Sequence, residues 1–430
     1  MQSALNDNGL ILAGHTLYLR GGTYSGTFTS AIHGTSASPI TVCPYPGETP
    51  ILDGQVTISG ADTTWRDGIV FTYSGWATRQ SAFDSLTPAD MPYDRVLRIY
   101  GRRTKIINCL MHDLAEGELW DAATDSTMYG CVSWNNGFRQ ATAGGVGHCL
   151  YTQNVGGGTM HIYNNVFVSA YNLGMHAYGS ALSHLDNYDV RRNIHTNVRF
   201  LIGGLGVVEP AGIAVSDNAF YKSRVQLGYT EDLALDVTIR DNYIAGELLQ
   251  VGPHTSVDVA GNTIAHASGV VNYIQDVSPP SGTWDGNTYF TTEGQPFDNV
   301  GQAGKKSFAG WRALTGWDAA STLTAALPTT NVVKVYANAY GGAHLGAVAI
   351  YNWEGLSSVS VDLSSLGLTV GQAYKLRNAQ NYFAEWQAFT YTGSPVAVTM
   401  TGWTVAVPIA AAAALYPSTF PTFGAFVVTP

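Results

Sequence analysis

The chain has 430 residues, with 21 Lys+Arg against 31 Asp+Glu and a net charge of −10. Charged residues make up 12%, about half the roughly 25% usual in a globular domain, while 45% are hydrophobic and 48 are glycine. So apolar a chain is not disordered. The acidic balance, without a Lys/Arg cluster, argues against a nucleic-acid partner, and no apolar run approaches the roughly 20 residues of a membrane helix. The longest, Val405 to Leu415, is too short and contains Pro408. Four irregularly spaced cysteines, Cys43, Cys109, Cys131 and Cys149, read as buried free thiols. Met1-Gln2-Ser3-Ala4-Leu5 shows no basic segment before an apolar one, so no secretion signal is expected here.

In chain order, Leu17 to Tyr24, Ile40 to Cys43, Val56 to Ile58, Ile69 to Tyr73 and Val96 to Ile99 read as strands separated by Gly-rich turns. The stretch Ser74 to Asp94 reads as a loop leaving that pattern. An Asn followed by a short apolar segment then recurs at Asn108, Asn165, Asn193, Asn218, Asn242, Asn262 and Asn287, with Cys131 in the missing register. The intervals run from 20 to 34 residues, the length of one coil of a parallel β-helix with occasional insertions. A single coil cannot bury its own apolar face, so coils stack about 4.8 Å apart, and a column of Asn amides bonds from coil to coil. Sandwich turns would recur every 8 to 12 residues instead.

After Phe290 the period stops. Ser307 to Thr315 has helical spacing with Ser307 as N-cap. Strands follow at Val332–Ala337, Ala347–Trp353, Val359–Leu363, Ala373–Arg377, Val396–Met400, Val405–Pro408 and Phe423–Val428. The fold class is therefore all-β: a right-handed parallel β-helix (1–292), a linker with a short helix (293–330) and a small antiparallel β-sandwich (331–430).

Leu17-Tyr18-Leu19-Arg20-Gly21-Gly22-Thr23-Tyr24, with Pro39-Ile40-Thr41-Val42 and Ile51-Leu52-Asp53-Gly54, resembles the opening coils of pectate-lyase-like right-handed β-helix proteins. These are mostly secreted polysaccharide lyases, glycoside hydrolases and tailspike depolymerases. The resemblance, over roughly residues 10 to 290, implies a carbohydrate substrate and an extracellular or virion-associated location. Ala349-Ile350-Tyr351-Asn352-Trp353 and Ser360-Val361-Asp362-Leu363 look like the accessory sandwich of many glycosidases. Polyuronate lyases of this kind commonly carry several Asp residues for calcium. No such cluster stands on the repeat strands, so no motif supports a Ca2+ site.

Function on this scaffold must come from the site. The second strand of each coil gives an inward apolar column, Leu119, Leu150, Met175, Phe200 and Val225, and alternation sends the neighbours outward. That register puts Glu118, Trp120, Tyr151, Gln153, His176 and Tyr178 on one outward patch, and His148 inward unless the preceding insertion re-aims it. A one-residue slip would reverse every side chain. Aromatic faces stack on sugar rings and His carries protons near neutrality. His176, Tyr151, Tyr178 and Glu118 are the catalytic candidates. Trp120, Gln153, Arg199, Arg224, Trp76 and Arg79 are the substrate-binding ones.

Two chemistries fit. In β-elimination, cleaving a uronate-containing glycan as a polysaccharide lyase, His176 is the base, Tyr151 or Tyr178 the acid and Arg199 or Arg224 the carboxylate partner. In glycoside hydrolysis two carboxylates act, about 5 Å apart for retention or about 6.5–9.5 Å for inversion, drawn from Glu118 with Glu116, Asp113 or Asp121. The outward columns hold one carboxylate, which favours elimination, whereas the net charge of −10 suits a polyanionic substrate poorly. A non-catalytic glycan-binding or tailspike-like module needs only the exposed aromatics, and a structural adhesin would lack the patch.

Overall fold

A computed structural model describes the chain except residues 8, 82–96, 116, 121–122, 143, 156, 180–184, 205–209, 230–232, 274–280 and 300–303. The loop expected over 74–94 lies largely outside the described residues, as do Glu116 and Asp121.

Short strands pair in parallel with their counterparts one coil away, building three faces. The first is an 11-stranded ladder from Thr16–Leu19 to Ser281–Asp285. The second runs from Val70–Thr72 through Val132–Asn136 and Val166–Ala170 to Thr322–Thr324. The third runs from Leu97–Ile99 through His148–Thr152, Leu173–Gly179 and Arg199–Gly204 to Phe297–Asn299. Each face sends one column inward: Ile106, Met128, Ile162, Val190, Val215 and Ile239 from the first, for example, all buried. Each such side chain contributes about 1.5–3 kcal/mol on leaving water. The parallel β-helix expected from the repeat is thus the body of the molecule.

The Asn column forms at the corner between the first and second faces. The side-chain oxygen of Asn193 accepts from the backbone N–H of Asn165 at 2.9 Å and from its side-chain amide at 3.0 Å. The same pair of bonds repeats from Asn193 to Asn218, Asn242, Asn262 and Asn287. Asn108, however, is not in the column. Leu110 pairs with Val132 and Val132 with Val166, so Cys109 and Cys131 hold the ladder register. The residue before each ladder position carries the left-handed backbone: Asn108, Gly130, Asn164, Arg192, Asp217, Asp241, Gly261 and Gly286 have φ of 51° to 70°. Asn is thus used twice, once for its amide and once for its tolerance of positive φ.

At the far end Phe308–Thr315 is a helix capped by the Ser307 side chain, which accepts from Gly310 N–H at 3.2 Å. Its Trp311 packs with Trp284, Trp317, Tyr273 and Phe297 over the last coils. Cys109, Cys131 and Cys149 are buried free thiols and Cys43 is half-buried. Among the described residues no helix is long and apolar enough to cross a membrane.

The C-terminal strands form a five-stranded antiparallel sheet, in the order Val332–Ala337, Gly346–Tyr351, Phe423–Thr429, Ala373–Asn378, Trp386–Thr390, and a two-stranded one, Ser358–Val361 with Val396–Thr399. Trp386–Thr390 was not expected. Val405–Pro408, expected as a strand, is instead an irregular segment lying on the coils, where Ala406 accepts from the Asn135 amide at 3.2 Å. Val348, Ile350, Leu376 and Phe426 fill the space between the two sheets. The opposite side of the larger sheet packs on the second face of the β-helix. Tyr221 stacks on Phe423 at 4.5 Å, and Tyr351 donates to the carbonyls of Phe220 and Tyr243 at 3.1 and 3.2 Å. The sandwich thus covers the second face, and the outward patch expected from the sequence lies on the third.

Candidate active site on the third face

Leu150, Met175, Phe200 and Val225 form the expected inward column, pairing in that order. Tyr151, His176, Leu201 and Gln226 pair alongside and face outward. The register of one strand is corrected. Glu118 pairs with Leu97 and Leu150, and Leu119 with Tyr151, so Glu118 and Trp120 point into the core and are 1% and 0% exposed. The slip arises because Leu119 is the most apolar residue of Glu-Leu-Trp, so hydrophobicity alone assigns it inward. Burial raises the Glu118 carboxyl to about 8, opposed by hydrogen bonds from Trp120 and Ser133. One of its oxygens, Oε1, has no hydrogen-bond partner among the described residues. Glu118 is neutral at pH 7 and is not a surface acid.

The outward patch that remains is a hydrogen-bonded chain of rings. His176 Nδ1 lies 3.1 Å from His148 Nε2, and His176 Nε2 lies 3.2 Å from the Tyr229 hydroxyl. Tyr151 meets the His176 ring edge-on at 5.3 Å, and Tyr178 lies 5.4 Å from His176 and 5.9 Å from Tyr229. Gln153 donates to the Tyr151 hydroxyl at 3.3 Å and the Tyr178 carbonyl at 3.1 Å, fixing both strands. His148 points outward, against strict alternation, because the chain is still turning the corner: both Cys149 and Leu150 are inside. Gly174 on the next coil is the extra residue of a bulge, Leu173 pairing with Arg199 and Met175 with Phe200. Tyr229, just after the left-handed Gly228, belongs to no strand column, so alternation could not find it.

Burial first, and the charge of Arg199 second, push His176 down to about 4. It is a neutral imidazole at pH 7 with one nitrogen donating and one accepting. Burial also raises the Tyr229 hydroxyl, so it stays protonated and can donate. Arg199 donates to Gln226 Oε1, and Arg224 lies 3.7 Å from the Glu247 carboxylate. Of the two arginines, Arg199 is therefore the freer to meet a substrate anion.

Trp76 and Arg79 are not on this patch. Both are buried: the Trp76 indole donates to the Asp113 carbonyl at 2.7 Å, and Arg79 stacks over Trp76 at 3.9 Å. Arg79 also pairs with the Asp113 carboxylate and donates to the carbonyls of Gly137 and Ile409 at 2.6 and 2.8 Å. Asp113 in turn accepts from Ile409 N–H at 2.9 Å. These residues tie the segment around Ile409 to the coils, and Asp113 is not available as an acid. Among the described residues no group of three or more His, Cys, Asp or Glu could hold a metal ion.

The fold is that of a parallel β-helix carrying a β-sandwich, and the candidate site is a His–Tyr–Arg patch on one face of the coil. No family model matches the chain, nor does any curated protein. Among solved structures it is similar to the PL6 family alginate lyase AlyGC in a mutant form, with a TM-score of 0.38 and 11% identity over 77% of this chain and 52% of that one. It is also similar to a mannuronic acid specific polysaccharide family 6 lyase from human gut microbiota, at 0.34 and 14%, over 69% and 79%. A second AlyGC structure gives 0.32 and 11%, over 74% and 55%. The chain spans about half the length of AlyGC. Likeness this distant carries no reaction, substrate or residue role to this chain.

Proposed function

We propose that the chain is a polysaccharide lyase cleaving a uronate-containing glycan by β-elimination on its third face. The observation that carries the reading is the His148–His176–Tyr229 chain beside Arg199. Arg199, held by the buried Gln226, binds the uronate carboxylate and steadies the negative charge that develops when the neighbouring C–H proton is removed. Neutral His176 takes that proton, with His148 holding its tautomer. Tyr151, Tyr178 or Tyr229 gives a proton to the glycosidic oxygen as the C–O bond breaks, leaving a double bond in the new non-reducing residue. Hydrolysis by paired carboxylates is less well supported, because Glu118 faces the core and Asp113 is bound to Arg79. The test is incubation with a polyuronate panel. New ultraviolet absorbance from unsaturated uronate, rising with reducing ends, is expected. Rising reducing ends with no absorbance would mean hydrolysis, and neither would leave a binding module.

A further inference from the structure

The larger C-terminal sheet extends beyond the β-helix. One cross-strand row runs Tyr336, Ala347, Val427, Arg377, Trp386, all on the side that faces the coils. Its first three members are 2–3% exposed under the coils, yet Trp386 is 44% exposed. The sheet lies across the second face in a fixed sense. Lys334, on its first strand, reaches Asp217 beside the Asn corner at 3.1 Å. At the other side, Phe383 meets His112 and its paired neighbour Trp134 on the second-face strands, at 5.4 and 5.6 Å. The strand Trp386–Thr390 therefore overhangs the corner that leads onto the third face, and Trp134 and the patch residue His148 lie on one coil.

The overhang has a definite chemistry. The Trp386 indole is braced by Arg377 at 5.2 Å and Lys375 at 5.5 Å, and Phe383, three residues earlier, is 49% exposed. Among the described residues neither cation has a carboxylate within ion-pair distance, in a chain with ten more acidic than basic groups. A half-exposed indole with two cations over its ring, Arg377 being held there by bonds to the Tyr382 carbonyl and the Thr429 hydroxyl, suits a sugar ring bearing a carboxylate: the sugar packs on the exposed part of the indole and its charge is met by the cations.

We infer that Trp386, Lys375 and Arg377 form a second subsite, a ledge that binds an anionic stretch of the same polysaccharide outside the third-face patch. The choice of an anionic glycan rests on the elimination reading, and the ledge itself rests on the sheet register. Binding is measured on the full chain carrying His176→Ala, so that polymer is not consumed, by affinity electrophoresis in gels containing polygalacturonate, alginate or a neutral glucan. Adding Trp386→Ala should weaken retardation by at least one polyuronate about tenfold, and Lys375→Glu at least as much, with unchanged melting temperature. The ledge is overturned if Trp386→Ala is retarded as strongly as its parent by every polymer, or if the neutral glucan is bound as well as the anionic ones. A companion assay on short oligouronates with His176 intact keeps the two readings apart. Loss of polymer binding in Trp386→Ala, with no unsaturated product from the intact chain, removes elimination and leaves the ledge standing.

Discussion

His176 and His148, on adjacent coils, share one hydrogen bond of 3.1 Å between ring nitrogens, which engages Nδ1 of His176 and leaves its other nitrogen to Tyr229. His176→Ala should therefore lower turnover about a hundredfold or more, the usual contribution of a positioned proton carrier. His148→Ala should cost less and shift the pH profile, because it positions the base without meeting substrate. A base held down to about 4 is already unprotonated at pH 5. The acid limb of kcat should fall near pH 4. A limb at the ordinary histidine value would mean that another group is the base.

Glu118 supplies a prediction about stability. Its folded value of about 8 lies above its ordinary 4.5, so the folded state holds the proton more tightly than the unfolded one. The stability from this group is fully present below about pH 4.5 and is lost as pH rises to about 8. Glu118→Gln should flatten that decline, gaining a few kcal/mol at pH 8 and little at pH 4. Urea melts across this range decide it. Equal slopes in the two proteins would place the carboxyl in contact with solvent.

His195 acts at the other end of the scale. It is fully buried in the column Phe167, His195, Phe220, with both ring nitrogens unpartnered among the described residues, and burial pushes it down to about 3. Here the folded state binds the proton more weakly. Its contribution is present above about pH 6.5 and is lost as pH falls toward 3. His195→Phe continues the ring column and removes a buried polar group worth about 1–3 kcal/mol when unsatisfied. Acid unfolding of this variant should begin at a lower pH than in the parent, and an unchanged midpoint would contradict the burial.

The Arg79–Asp113 pair is a structural clasp. Breaking a buried pair on one side costs about 3–5 kcal/mol. Asp113→Asn should therefore destabilise the chain by that order while leaving KM for short oligouronates unchanged at temperatures where the variant is folded. A raised KM without loss of stability would restore Arg79 to the substrate.

Much of the fold was legible because stacking forces periodicity: the Asn column from Asn165 to Asn287 and the inward column Leu150, Met175, Phe200, Val225 stand where the repeat puts them. Legibility fails where a coil has no neighbour of like sequence. Cys109 replaces Asn in the ladder, so Asn108 is one residue off, and Glu-Leu-Trp at 118–120 has its charged residue inside. Corners defeat alternation altogether, which reverses His148 and hides Tyr229. Trp76 and Arg79 could not be placed at all, since their partners Asp113 and Ile409 are distant in sequence and meet only when the sandwich docks.

Elimination is the proposed work of the His148–His176–Tyr229 chain. The most direct measurement is the rate of unsaturated-uronate absorbance on a polyuronate that the chain degrades, compared between the intact chain and a folded His176→Ala variant. Absorbance that appears with the intact chain and falls about a hundredfold or more in the variant is the predicted result. An undiminished rate in His176→Ala would contradict it.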